Sequence, residues 1–207
     1  ARTGVRSYIG FAGGLDVPMV LGSRSTYLRG RVGGVDGRAL RKGDELGVFP
    51  SGSVKRRRVD PRAIPDYTGE TTIRAVLGPQ DDRFTAEGLD ALFGGRYEVL
   101  PQSDRMGSRL RGPRIAHARG HDIVSDGIAL GSIQVPGDGQ PIVLLVDRQS
   151  TGGYTKAATI CSCDIWRVGQ ARPGQALRFH QVGVDEAHRL FREADRALEA
   201  AVREESA

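Results

Sequence analysis

Ten consecutive residues, Asp147-Arg148-Gln149-Ser150-Thr151-Gly152-Gly153-Tyr154-Thr155-Lys156, follow the most apolar stretch of the chain, residues 141–146. Nearly every one carries a hydrogen-bonding side chain, and two glycines let a ligand approach the backbone. A buried strand that empties into such a loop is where binding residues tend to sit. Arg148 and Lys156 offer cationic donors, and Asp147 a base or a partner for an arginine. Gln149, Ser150, Thr151 and Tyr154 offer neutral donors and acceptors. The competing reading is an ordinary polar loop.

Three other polar islands have similar chemistry. Gly22-Ser23-Arg24-Ser25-Thr26 sets three hydroxyls around a guanidinium, an anion-binding set or else a capped turn. In Ser103-Asp104-Arg105-Met106-Gly107, Asp104 can orient the fork of Arg105 toward a carboxylate or phosphate, or form a plain surface ion pair with it. Gly131-Ser132-Ile133-Gln134-Val135-Pro136 buries an amide, Gln134, in an apolar strand, with Gln140 across the following turn.

Several chemistries are excluded. The chain has no G-x-x-x-x-G-K-[ST] phosphate loop, no H-E-x-x-H pair and no G-x-S-x-G nucleophile elbow. His117 and His121 are four apart, but Gly120 between them argues against a helix presenting both to a metal. They read as surface histidines, as do His180 and His188, and no metal site is expected. No Met-Lys-Met tripeptide for biotin attachment is present, so no covalent biotin is expected on this chain.

The elements that must position these islands are mostly strands. Strands are expected over residues 6–12, 71–77 and 96–100. Residues 132–135 and 141–146 flank the turn Pro136-Gly137-Asp138-Gly139 as a hairpin, and residues 155–165 read as a further strand. Thr85 can cap a short helix with Leu89, Leu92 and Phe93 on one side and Gly94-Gly95 as its stop. Residues 55–66, with Lys55-Arg56-Arg57-Arg58 and two prolines, read as an exposed linker. From 185 to 205 the apolar residues recur every three or four positions, so a long amphipathic helix is expected there, packed on the barrel or on another subunit. Lys42-Gly43-Asp44-Glu45-Leu46 echoes Pro173-Gly174-Gln175-Ala176-Leu177, as two related halves would.

The 207 residues include 29 glycines, about twice the ordinary share, which suits short strands and many tight turns. No apolar run approaches a membrane span. The net charge of +5 suits a small anionic substrate. The basic run at 55–58 lacks interleaved aromatics, so nucleic acid is not the expected partner. Cys161 and Cys163, two apart, are expected as free thiols in a reducing cytoplasm.

Taken together, Gly13-Gly14-Leu15-Asp16-Val17-Pro18, Leu21-Gly22-Ser23-Arg24-Ser25-Thr26-Tyr27, Ser103-Asp104-Arg105-Met106-Gly107, Gly131-Ser132-Ile133-Gln134-Val135-Pro136 and Asp147-Arg148-Gln149-Ser150-Thr151-Gly152-Gly153-Tyr154 resemble the KipA family. That family is also called allophanate hydrolase subunit two, biotin-dependent carboxyltransferase-like, or the C component of 5-oxoprolinase. The resemblance runs in order from about residue 5 to 180. It departs at Ser150, where the family more often has threonine, and at Thr155, where proline is common.

The resemblance implies a mainly β fold of two cyclophilin-like barrel halves. The first would occupy residues 1–66 and lack the family's N-terminal stretch; the second would occupy 67–183; the helix would follow over 184–207. It implies a subunit of an ATP-dependent complex that opens 5-oxoproline to glutamate, or a urea or allophanate enzyme component. A non-enzymatic regulator that binds a KipI-like protein is the third reading. The implied partners are a KipI-like first subunit (the B component of 5-oxoprolinase), a third hydrolase subunit and ATP, held by this chain or its partner. On that reading Arg24, Arg105, Arg148 and Lys156 would hold the substrate carboxylate or a phosphorylated intermediate. Gln134, Gln149, Ser150, Thr151 and Tyr154 would orient the lactam, with Ser23, Ser25 and Gln140 as further contacts. Asp104 or Asp147 would act as base or orient an arginine.

Overall fold

A computed structural model describes residues 3–204, which fall into two units: residues 3–6 with 59–202, and residues 7–58 with 203–204. In the smaller unit β1 (Leu15–Asp16) pairs antiparallel with β2 (Gly47–Val48), and turns make up most of the remainder. β3 (Arg57–Val59), on the segment expected as a linker, is exposed throughout.

The larger unit carries β4 (Thr71–Leu77), α1 (Ala86–Gly94), β5 (Tyr97–Val99), β6 (Gly107–Arg111), β7 (Asp122–Gly127), β8 (Ser132–Gln134), β9 (Ile142–Leu144), β10 (Thr151–Tyr154), β11 (Lys156–Ile160), α2 (Ile165–Gln170), β12 (Ala176–Gln181) and α3 (Val184–Ala201), and β13 (Val202–Glu204) follows. Seven strands close into a barrel in the order β11-β4-β12-β5-β6-β9-β8, with β8 pairing back onto β11. Only β12 and β4 run parallel; the other barrel pairs are antiparallel. Closure removes the free edges that an open sheet would present. The core is filled by Ile73, Leu92, Tyr97, Leu110, Ile133, Val143, Leu177 and Phe179, all at most 2% exposed. Tyr97 donates its hydroxyl hydrogen to the Ala91 and Pro113 carbonyls (2.9 and 3.1 Å), and burial pushes its pKa up to about 12.

The fold is the expected mainly β one with a C-terminal helix. Thr85 caps α1, its hydroxyl accepting from the Gly88 N–H at 3.0 Å. The hairpin forms, with Ile133 opposite Val143 and Gln134 opposite Ile142. Cys161 and Cys163 are free and buried. Ala187 and Leu190 of α3 pack on Cys161, Cys163 and Val182, whereas residues 191–200 are exposed.

Two strand expectations need correcting. Residues 6–12 form no strand: their apolar members Tyr8, Ile9 and Phe11 are exposed, and no strand pairs with them. The strand expected over 155–165 ends at Ile160, because Asp164 turns inward to meet Arg74 and the chain passes through a 3-10 turn into α2. The expected helix stops at Ala201, followed by β13, and its last three residues lie outside those described.

The echo between residues 42–46 and 173–177 has a structural counterpart. At residues 41–44 the Asp44 N–H donates to the Arg41 carbonyl (3.1 Å), and the Asp44 carboxylate accepts from the Arg41 N–H (2.7 Å). At residues 172–175 the Gln175 N–H donates to the Arg172 carbonyl (2.9 Å), and the Gln175 amide oxygen accepts from the Arg172 N–H (2.6 Å). Gly43 and Gly174 fill the same left-handed position, at φ 97° and 86°.

Candidate carbonyl-binding site under the flap

β7 and β10 do not belong to the barrel. They form a two-stranded antiparallel flap, with Thr151 opposite Gly127, Gly152 opposite Asp126 and Tyr154 opposite Asp122. Beyond Tyr154 the chain passes through Thr155, fully buried, and enters the barrel as β11. Thr155 fixes that bend: its carbonyl accepts from the Val135 N–H (3.0 Å) and its N–H donates to the His121 carbonyl (3.0 Å).

Two cross-strand pairs meet where the flap joins the barrel. On β11 and β8, Lys156 stands opposite Gln134. On the flap, Gly152 stands opposite Asp126. Opposite residues of an antiparallel pair project from one face. Lys156 Nζ donates to Asp126 Oδ2 at 3.2 Å, joining the two pairs. Gln80 braces the junction, its amide oxygen accepting from the Lys156 N–H (3.1 Å) and its Nε2 donating to Asp126 (3.4 Å). The Gly127 N–H and the Lys156 ammonium hold the Asp126 carboxyl below its usual range. Lys156 and Gln134 are each only 2% exposed. A buried ammonium beside a buried amide is an expensive arrangement for a core and an ordinary one for a site.

Gln149 extends the site outward from the flap. A β-carbon added to Gly152 would lie 3.1 Å from Gln134 Nε2 and 3.4 Å from Gln149 Nε2, so the two amides face the same bare α-carbon. Arg148 anchors the start of the flap, its Nε donating to the Ile128 carbonyl (3.1 Å) and its Nη1 to that of Leu145 (3.4 Å).

The other sequence candidates of the larger unit have different partners. Arg105 forms a bidentate ion pair with Asp147 at 2.8 and 3.0 Å on the exposed surface. Asp104 accepts from the N–H groups of Met106 and Gly107, closing the turn before β6. Gln140 clamps Gly112, donating to its carbonyl (3.3 Å) and accepting from its N–H (2.9 Å). Ser150, Thr151 and Tyr154 are exposed on the flap, and the Tyr154 ring stands 6.4 Å from that of His121. In the smaller unit, Ser23 accepts from the Ser25 N–H (3.1 Å), and Arg24 donates to the Val17 carbonyl with its guanidinium 4.7 Å from the Phe49 ring centre. A cavity of about 540 Å³ in that unit is lined by Asp16, Arg31, Asp36 and Glu45 rather than by Ser23, Arg24 or Ser25.

Residues 1–181 match the model of the carboxyltransferase domain, subdomains A and B. The chain belongs to that family. The carboxyltransferase match agrees with the resemblance read from the polar islands. Over 95% of its length the chain is 38% identical to the C component of 5-oxoprolinase from Escherichia coli K12, covering 62% of that protein. Over 95% of its length it is also 33% identical to the urea amidolyase of Lachancea kluyveri, covering 12% of it. The crystal structure of the Kluyveromyces lactis urea amidolyase superposes with a TM-score of 0.80 at 30% identity, over 93% of this chain and 13% of that one. The chain thus spans about three-fifths of the length of the bacterial 5-oxoprolinase subunits it matches.

Within this carboxyltransferase domain, three sequence candidates (Gln134, Gln149 and Lys156) converge with two residues that the sequence did not single out, Asp126 and Gln80. Asp126 lies 30 residues from Lys156 and Gln80 lies 76 away, on segments with no motif of their own. His117 is a further correction. It is half-buried rather than on the surface, 4.8 Å from the Phe84 ring and hydrogen-bonded to the Val135 carbonyl and Thr155 Oγ1 (3.1 Å each). Burial lowers its pKa. No cluster of three or more metal-ligating side chains occurs among the described residues, and no described helix is long and apolar enough to cross a membrane.

Proposed function

We propose that this chain is a subunit of an ATP-dependent amide-hydrolysing complex whose substrate is 5-oxoproline. The 38% identity to a bacterial 5-oxoprolinase component, across 95% of the chain, carries that reading. In the proposed reaction water adds to the lactam carbonyl carbon, the C–N bond breaks, and the ring nitrogen leaves as the amine of glutamate. ATP hydrolysis on the complex drives the step. The lactam lies against Gln134, Gln149 and the Lys156–Asp126 pair, and its carboxylate faces Arg148, whose guanidinium is anchored on two backbone carbonyls.

The flap site does not fit a nucleotide triphosphate. Lys156 is committed to Asp126, and Arg148 in part to two carbonyls. In this reading ATP is held by a partner subunit, of the KipI-like or third hydrolase type, and the proposed complex is cytoplasmic. A urea or allophanate reaction is the second reading, favoured by the identity to urea amidolyase.

The test is turnover by the complex co-expressed with its partner subunits. ATP-dependent release of glutamate from 5-oxoproline, absent with urea and allophanate, is the expected result. Turnover of urea alone selects the second reading. A complex that assembles yet turns over none of the three makes the chain a regulator.

A further inference from the structure

Among the described residues, Gln134 Nε2 is the one buried side-chain nitrogen or oxygen without a hydrogen-bond partner. The two buried charged groups are paired, Asp164 with Arg74 and Lys156 with Asp126. A fold gains nothing by burying a donor unpaired, so an orphan of this kind calls for an explanation outside the fold.

Gly152 supplies a second, independent observation. Its backbone is not in the left-handed region that Gly131 and Gly139 occupy, so conformation does not demand glycine there. What a side chain would change is space: a β-carbon would lie 3.1 Å from the orphan Nε2, 3.4 Å from Gln149 Nε2 and 2.8 Å from Ile128 Cδ1. The missing side chain leaves room where two amide nitrogens converge.

We propose that Gln134 Nε2, Gln149 Nε2 and the bare α-carbon of Gly152 form a cradle for the carbonyl oxygen of a planar neutral amide or urea-type group. The inference takes its site from the reading above but not its substrate. Both converging donors are uncharged carboxamides, which suit a carbonyl oxygen without demanding an anion. Lys156 is neutralised by Asp126. Asp126 projects from the same face of the flap as Gly152, and its side chain is 55% exposed. Its carboxylate repels a ligand carboxylate placed in the cradle and accepts from an amide N–H. A flat group resting on the Gly152 backbone can thus present its oxygen to the two glutamines and its N–H toward Asp126.

The experiment uses the full chain in its co-expressed complex and four probes: acetamide, urea, 5-oxoproline and acetate. Saturable binding is followed by ligand-observed NMR, and stability by thermal unfolding. Acetamide and urea are expected to bind and to compete with 5-oxoproline, and acetate is not. Gln134→Leu should weaken amide binding by at least about tenfold. It should also raise the melting temperature, because it removes an unpaired buried amide. Gly152→Ala should weaken binding to a similar degree with little change in melting temperature, since the flexible end of Ile128 can give way. The cradle is overturned if acetate displaces acetamide as well as urea does, if no amide binds saturably, or if Gln134→Leu binds amides normally or melts earlier. The two readings fail separately. Amide binding through Gln134 in a complex that does not turn over 5-oxoproline sinks the substrate and keeps the cradle. Turnover of 5-oxoproline with an unchanged KM in Gln134→Leu sinks the cradle and keeps the substrate.

Discussion

The barrel buries two charged groups, Asp164 and Lys156, and treats them differently. The Asp164 side chain is 1% exposed and accepts four hydrogen bonds: from the Arg74 backbone N–H (2.9 Å), Arg74 Nε and Nη2 (2.7 Å each) and Arg167 Nε (3.1 Å). Lys156 has one carboxylate, Asp126 at 3.2 Å, on a strand that is itself mostly exposed, and its cross-strand neighbour Gln134 has an orphan donor. A saturated buried charge ties elements together. An undersupplied one, next to an unpaired amide and a missing side chain, is the ground for the binding site proposed above.

The largest expected effect comes from breaking the saturated cluster. Asp164→Ala leaves the Arg74 guanidinium, 30% exposed, without its partner and frees the Arg74 N–H of β4. Removing one member of a buried pair typically costs about 3–5 kcal/mol, and denaturant unfolding should show a loss of that order. The corresponding Lys156→Met change should do the opposite. It removes a buried ammonium and leaves Asp126 able to turn to water, so the melting temperature should hold or rise. The same variant should lose about one to two decades of turnover in the complex. If Lys156→Met unfolds as readily as Asp164→Ala, the contrast between the clusters is wrong.

Acid sharpens the same contrast. Burial pushes the Asp164 carboxyl up, but hydrogen bonds from the Arg74 side chain and backbone and the charges of Arg74 and Arg167 outweigh it and hold the group below the usual carboxylate range. Its folded pKa is thus depressed. The stability it contributes is fully present above the unfolded value of about 3.9 and is lost as pH falls below that toward the folded value. Melting temperature should fall in that window for the wild type. In Asp164→Asn, which has already lost the charge, the slope should be shallower. A mutant with an unchanged slope would mean that other carboxylates dominate acid unfolding.

The two clusters were unequally legible in the sequence. Gln134 could be singled out because a lone amide in an apolar strand violates the pattern around it, and Lys156 because it ends a polar run rich in glycine. The barrel hairpin and α1 were legible through turn and cap chemistry, which is local. Asp126 was not, because Ser125-Asp126-Gly127 reads as any exposed turn and becomes part of a site only when the flap folds over Lys156. Asp164 was hidden for the opposite reason: it falls inside a run that reads as strand, and its partner Arg74 is 90 residues away. The α2 helix, six residues long, is too short for a helical period to emerge. Tyr8, Ile9 and Phe11 follow a strand-like pattern with no partner strand to make it one.

The smallest expected effect concerns Arg105 and Asp147, which the sequence reading put among the catalytic candidates. Their pair is bidentate at 2.8 and 3.0 Å, but the Arg105 side chain is 60% exposed and that of Asp147 29%. Exposed pairs contribute about 0–1 kcal/mol, because water screens the charges and two side chains must be held in one geometry. The pair sits between the turn before β6 and the end of the β9 strand, where backbone bonds from Leu145 to Met106 and from Asp147 to Arg105 (2.9 Å each) already fix the two segments. Arg105→Ala should therefore cost less than about 1 kcal/mol, and the loss should shrink further in high salt. Turnover of the complex should change by less than a few-fold, against the decades expected for Lys156→Met. A loss of turnover on the Lys156 scale, with stability intact, would move the proposed catalytic centre from the flap to the Arg105 corner.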